Sequence, residues 1–220
     1  PDIDGDGDNE VFIKYVNRIE IFWSANLFKQ KSQLLGSYVE QSQIGSVGDF
    51  DGDGLLDFWL AIRPHHTDGK IGGEAYLFLG KNLTGDMSLD DAECKLAGAL
   101  KYTDTDPLGA TISPIAGDMT GDGKPDFTIS GHFHMSWSGA LYILPSQNLR
   151  LTNCDISTDN ENVIKILGED FSELGPPGYH YDHLDVNSDG FDDLIIGADN
   201  DMEAGFAAGA IVVIDGQKMT

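Results

Sequence analysis

Apolar residues in this chain fall in short runs separated by stretches rich in glycine, aspartate and asparagine. Val11-Phe12-Ile13, Phe58-Trp59-Leu60-Ala61-Ile62, Phe127-Thr128-Ile129 and Leu194-Ile195-Ile196 are β-branched or aromatic and too brief for helices, so they predict buried strands. With their neighbours they predict an all-β chain of four units, at about 1–41, 42–108, 109–178 and 179–220. The first unit has strands over 10–15, 18–23 and 33–37 and lacks a first strand. The second has 42–48, 57–63, 73–79 and 93–97; the third has 110–117, 126–130, 140–144 and 163–167. The fourth has 179–184, 193–197 and 210–214 and lacks a last strand. Residues 89–98 read as helix on propensity, with Ser88 as cap, yet Lys95-Leu96-Ala97-Gly98 aligns with Lys165-Ile166-Leu167-Gly168, which favours strand. The polar stretches 81–91 and 147–161 read as surface connections.

Each leading strand is preceded by an acidic loop, and the four loops share one spacing. Asp2, Asp4, Asp6 and Glu10 form the first, Asp49, Asp51, Asp53 and Asp57 the second. Asp118, Thr120, Asp122 and Asp126 form the third, and Asp185, Asn187, Asp189 and Asp193 the fourth. Oxygen-bearing side chains therefore stand at positions 1, 3, 5 and 9, with glycine at position 6 (Gly7, Gly54, Gly123, Gly190). Calcium takes six to eight oxygens and is enclosed by tight turns whose alternate side chains point inward. Glycine at position 6 supplies the positive φ of such a turn. Position 7 (Asp8, Leu55, Lys124, Phe191) then contributes its backbone carbonyl, which suits the variety of side chains there. Up to four Ca2+ ions are expected.

An EF-hand would place a bidentate Glu at position 12 between two helices. Position 12 here is Ile13, Leu60, Ile129 and Ile196, so each loop joins two strands. The loop starts at 2, 49, 118 and 185 give a long period containing several strands each, which indicates propeller blades.

Residues 109–131 followed by Gly139-Ala140-Leu141-Tyr142-Ile143-Leu144 resemble an FG-GAP repeat, as in the β-propeller of integrin α-subunits and many bacterial surface proteins. Residues 185–198 followed by Gly209-Ala210-Ile211-Val212-Val213-Ile214 are similar. Leu108-Gly109 and Leu174-Gly175 stand where the family has Phe-Gly. The resemblance extends over nearly the whole chain and implies four-stranded blades, calcium between strands 1 and 2, and ligands on the opposite face. A ring of this family usually closes with seven blades, so the incomplete units imply that a longer parent chain or another copy supplies the missing strands. A chain starting inside a loop, at Pro1-Asp2-Ile3-Asp4, agrees with a piece of a longer protein.

The chain has 220 residues, with 13 Lys and Arg against 37 Asp and Glu, for a formal charge of −24. That balance argues against nucleic acid and anionic membrane surfaces as partners. No run approaches the roughly 18 apolar residues of a membrane span. Fourteen carboxylates lie at the side-chain positions of the four loops, and four Ca2+ would bring the formal charge to −16. Loops of this type need calcium near micromolar or above, which points to an extracellular, cell-surface or periplasmic address. On charge count loop three is expected to bind least tightly, because Thr120 replaces a carboxylate; loop four has the neutral Asn187 at the same place. Cys94 and Cys154, the two cysteines, are open to two readings: apolar packing residues, or a bridge between neighbouring blades in an oxidising compartment.

The face opposite the calcium loops would carry 64–68, 102–106, 132–137 and 176–181, which are rich in His and aromatic residues. Aromatic rings beside carboxylates suit a protein or glycan ligand, although Trp137 and Tyr179 serve equally as packing. His132 and His134 with His65 or His66 offer a transition-metal set without visible supporting ligands. Catalytic motifs are lacking. The function expected is a calcium-stabilised binding or adhesion module without enzymatic activity. The alternatives are a polysaccharide lyase or carbohydrate-enzyme propeller, for which Lys101 and Tyr102 are the candidate bases, and a structural spacer of a large surface protein.

Overall fold

The computed structural model describes residues 2, 5, 7, 9–22, 30–35, 42–67, 70–82, 85–98, 111–112, 117–131, 138–146, 154–157, 161–168, 180–198 and 208–216, and the structure is stated for these residues. The four apolar runs are strands, each followed by an antiparallel partner. The first sheet begins with β1 (Val11–Lys14), β2 (Arg18–Phe22) and β3 (Gln30–Leu35). Next come β4 (Ser42–Gly48), β5 (Asp57–Thr67), β6 (Lys70–Phe78), β7 (Asp86–Ser88) and β8 (Cys94–Ala97). The third group is β9 (Thr111–Ile112), β10 (Phe127–Gly131), β11 (Ala140–Leu144), β12 (Cys154–Ser157) and β13 (Ile164–Leu167). The last is β14 (His180–Leu184), β15 (Asp193–Ala198) and β16 (Ala210–Ile214). They form four small sheets, in the orders β1-β2-β3-β7, β4-β5-β6-β8-β12, β9-β10-β11-β13 and β14-β15-β16. These are propeller blades, two of them with three strands of their own.

Two strands fall where the polar sequence predicts plain connections. β7 leaves the second blade and pairs in parallel with β3 of the first, Leu34 opposite Met87. β12 leaves the third blade and pairs in parallel with β8 of the second, Cys94 opposite Cys154. In the second and third blades the connection between the third and fourth strands thus reaches back and covers the outer edge of the blade before it. Backbone groups on an open edge need partners, and this repeated pairing supplies them. Cys94 is disulfide-bonded and no cysteine is free; with only one other cysteine in the chain, the bridge joins β8 to β12. The 89–98 segment combines both expectations: Leu89–Asp91 is a single 3-10 turn capped by Ser88, and strand follows at Cys94.

The apolar cores lie between blades. Along β5 the side chains alternate, as a pleated strand requires. Phe58, Leu60 and Ile62 pack with Ile19, Ile21 and Leu34 of the first blade. Trp59 and Ala61 face the third blade, with Phe127, Ile129 and Tyr142. On the far side of the third blade, Leu141 and Ile143 meet Leu194 and Ile196 of the fourth. Burying one such side chain contributes roughly 1.5–3 kcal/mol. These three seams hold the blades in order and fix the loops at their edges next to one another.

Candidate metal centre

Each loop is shaped by its first residue. The Asp49 carboxylate accepts the N–H groups of Gly52 at 2.8 Å, Asp53 at 2.9 Å and Gly54 at 2.8 Å. Asp118 accepts from Asp122 at 2.9 Å and Gly123 at 2.8 Å, and Asp185 from Asp189 and Gly190, both at 2.9 Å. Asp2 accepts from Gly5 at 2.8 Å and Gly7 at 3.0 Å. Position 5 continues the coil: Asp53, Asp122 and Asp189 each accept the N–H two residues on. The position-6 glycines all have φ between 83° and 93°, the backbone the spacing predicts.

Position 9 is the anchor and is buried in all four loops, at Glu10, Asp57, Asp126 and Asp193. Asp57 accepts Phe50 N–H at 2.7 Å on one oxygen and Gly80 N–H at 2.9 Å on the other. Asp126 accepts from Thr120 N–H and Ser146 N–H, both at 2.9 Å, and Asp193 from Val186 at 2.9 Å and Gly216 at 3.1 Å. One carboxylate therefore ties the start of the loop to the residues following the blade's third strand. Burial pushes the Asp57 carboxyl up from 3.8 to about 6; the two N–H donors oppose the shift and the neighbouring Asp51 charge adds to it. Burial also raises Asp126, against the pull of Ser146 and Thr120.

The donors that come closest together are Asp49, Asp51 and Asp57, whose nearest oxygens all lie within 4.8 Å of one another. The set is oxygen only, and Asp57 is wholly buried beside like charges. Such a cluster fits a hard divalent cation. Lys81 also reaches it, with Nζ on the Asp51 carboxylate and 3.8 Å from Asp53 Oδ2. The hydrogen bond to Asp51 raises the Lys81 pKa.

In loops three and four the same turn recurs, with Thr120 N–H on Asp126, Val186 N–H on Asp193, and the Lys124 and Phe191 N–H groups on Asp122 and Asp189, while among the described residues the convergence of three carboxylates is found in loop two. Of loop one, Asp2 and Glu10 are described, while Asp4, Asp6 and Asp8 lie outside the described residues. So do Lys101, Tyr102 and the ligand-face stretches 102–106, 132–137 and 176–179. His65 and His66 belong to β5, opposite Gly72 and Ile71.

Sequence reasoning left the position-7 side chains without a task, but two of them join neighbouring loops. A Cβ on Gly5 would lie 3.0 Å from the Leu55 side chain, and one on Gly121 only 2.3 Å from the Phe191 ring. The position-4 glycines share a positive φ, and Gly52 of loop two has no such neighbour within 4 Å. In loop four that position is Ser188, the one non-glycine residue with positive φ among those described, at 62°.

Residues 2–60 match the family described as FG-GAP-like repeat, and residues 182–214 match the FG-GAP repeat. These segments contain loops one, two and four; loop three carries the same turn outside them. No curated protein matches the chain significantly.

Proposed function

We propose that this chain, an FG-GAP repeat protein, is a calcium-stabilised extracellular binding module. The observation that carries the reading is the convergence of Asp49, Asp51 and Asp57 with Asp57 fully buried. Buried carboxylates are costly unless a cation compensates them. Calcium would be held in loop two by Asp49, Asp51, Asp53, the Leu55 carbonyl and Asp57, and in the other three loops by the residues at the same positions. When bound, it supplies positive charge among carboxylates that otherwise repel. The chain's own part is to orient these oxygens with backbone N–H groups before the ion arrives.

An oxidising, calcium-rich exterior agrees with the disulfide at Cys94. Among the described residues no helix is long and apolar enough to cross a membrane. The ligand, a protein or glycan, would be taken by the loops opposite the calcium edge. Further blades, from the parent chain or another copy, would cover the open face of the fourth blade. Ile211 and Val213 there are 74% and 54% exposed, whereas Ala75 and Leu77, at the same places in the second blade, are fully buried.

The test is calorimetric titration of Ca2+ into chelator-stripped protein, with thermal melting in parallel. The reading expects up to four binding events and a melting rise of several degrees, since a ligand bound only by the native state stabilises it by mass action. Absence of heat and of any melting shift at millimolar calcium would overturn it. A glycan and protein binding panel run beside turnover assays on acidic polysaccharides separates the module from an enzyme: binding without product is expected.

A further inference from the structure

Asp192 stands at position 8 of loop four, between Phe191 and the buried Asp193, and the loop pattern gives it no cation to hold. Its Oδ2 instead accepts the N–H of Asp118, the first residue of loop three, at 2.8 Å. Its own N–H donates to the Asp118 carbonyl at 3.2 Å. Asp118 is thereby clamped on both sides of its backbone by a residue 74 positions away. The same joint carries the Phe191 ring over Gly121 and the close approach of Gly216 to the carbonyls of Asp192 and Met119, where a Cβ would stand 2.3 and 2.9 Å away.

We propose that Asp192 is a positioning residue through which loops three and four take up calcium as a coupled pair. The proposal rests on the calcium reading above. An ion in loop four would be held in part by the Phe191 carbonyl and the Asp193 carboxylate, which flank Asp192 directly. Fixing those neighbours fixes the Asp192 carboxylate and N–H, and with them the backbone of Asp118. Asp118 also accepts from Asp122 and Gly123, so it sets the frame of loop three. Part of the ordering that loop three requires is then already complete before its ion binds, which is positive cooperativity without a change of fold. Linkage makes the effect reciprocal, and couplings of this kind are typically about 5- to 150-fold. The Asp192 carboxylate also places a negative charge at the joint, which would offset the repulsion between cations held in the two loops.

The test follows the amide resonances of Gly54, Gly123 and Gly190 during Ca2+ titration, one reporter for each of loops two, three and four. Crippling loop four with Asp189→Ala is expected to raise the calcium concentration at which Gly123 responds by about fivefold or more and leave Gly54 unmoved. Asp192→Ala is expected to do the same while keeping loop four's own ligands. In the double variant the two effects on Gly123 should not add, because both remove one linkage. Asp192→Asn, which keeps the shape and one acceptor oxygen, should recover much of the coupling, and if the alanine variant does not fold the Gly123 midpoint in Asp189→Ala decides the matter. An unchanged Gly123 midpoint in Asp189→Ala, or in a folded Asp192→Ala, overturns the proposal while the calcium reading stands. If none of the three glycines responds at millimolar calcium, both are overturned.

Discussion

Trp59 and Phe127 stack face to face across the seam between the second and third blades, with ring centroids 4.0 Å apart and planes 12° from parallel. Both are fully buried. Truncating either to alanine is expected to cost about 3–5 kcal/mol, and the pair should show coupling beyond the loss of area. Urea denaturation of Trp59→Ala, Phe127→Ala and the double variant checks this. Single losses under about 1 kcal/mol would mean that the seam does not hold the blades together.

The Cys94 bridge crosses from the second blade to the strand that the third blade sends back over it. It closes a long stretch of chain, so reduction or a Cys94→Ser, Cys154→Ser pair should lower stability by about 2–4 kcal/mol. Melting with and without reductant measures this. Indifference to reductant in a protein shown by mass spectrometry to be oxidised at the start would contradict it.

Asp57 and Asp51 belong to the same loop but should fail differently. Asp57→Ala strands the buried N–H groups of Phe50 and Gly80, a loss of about 2–5 kcal/mol that persists when calcium is absent. Asp51→Asn leaves those bonds in place and should weaken the calcium-loaded protein more than the stripped one, which loses only the exposed Lys81 pair. Chemical denaturation of both variants, with and without chelator, separates the two. Equal losses under both conditions for Asp51→Asn would break the distinction.

Acid should narrow the advantage that calcium gives. In the stripped protein burial raises the Asp57 carboxyl to about 6 from 3.8, so between those values the folded chain holds a proton that the unfolded chain has released. Stability from this group is present below about 4 and lost as pH rises through about 6, by roughly 3 kcal/mol; Asp126 shifts in the same direction. A bound cation favours the ionised form and offsets that loss. The melting gap between loaded and stripped protein should therefore widen from pH 4.5 to pH 7. A gap constant over that range would show that neither aspartate carries the effect.

Lys81 places its own positive charge on Asp51 and near Asp53, where it competes with any ion that loop two takes. Lys81→Gln should tighten calcium binding at loop two several-fold and make the stripped loop less stable. The Gly54 amide midpoint reads the first effect, and hydrogen exchange in the stripped protein reads the second. A weaker loop-two affinity in the variant would mean that the ammonium supports the ion instead of displacing it.

The loops and leading strands were legible because both are local. Alternate oxygens with glycine at position 6 specify one turn, and the apolar run after position 9 specifies a buried strand. The alternation of Phe58, Leu60 and Ile62 with Trp59 and Ala61 already described a strand covered on both faces. β7 and β12 were not legible. Asp86-Met87-Ser88 and Cys154-Asp155-Ile156-Ser157 are polar and short, and they become strands because an adjacent blade presents an open edge. Asp192 escaped for a related reason. Its partner Asp118 is distant in sequence, and position 8 carries no pattern: it is Asn9, Leu56, Pro125 and Asp192 in the four loops. Glycine at position 4 did not mark these contacts either, since Gly5 and Gly121 lie under Leu55 and Phe191 while Gly52 faces open space and Ser188 keeps a side chain at positive φ.

The backward-reaching strands also decide where this chain can be cut. Because β7 seals the first blade and β12 the second, the segment that can be excised, duplicated or grafted intact is staggered against the blade as drawn from its four antiparallel strands. A recombinant piece ending after β8 would look complete by strand count, yet it would leave β8 bare and Cys94 without its mate. Boundaries placed after β12 instead carry each seal along with the blade it closes.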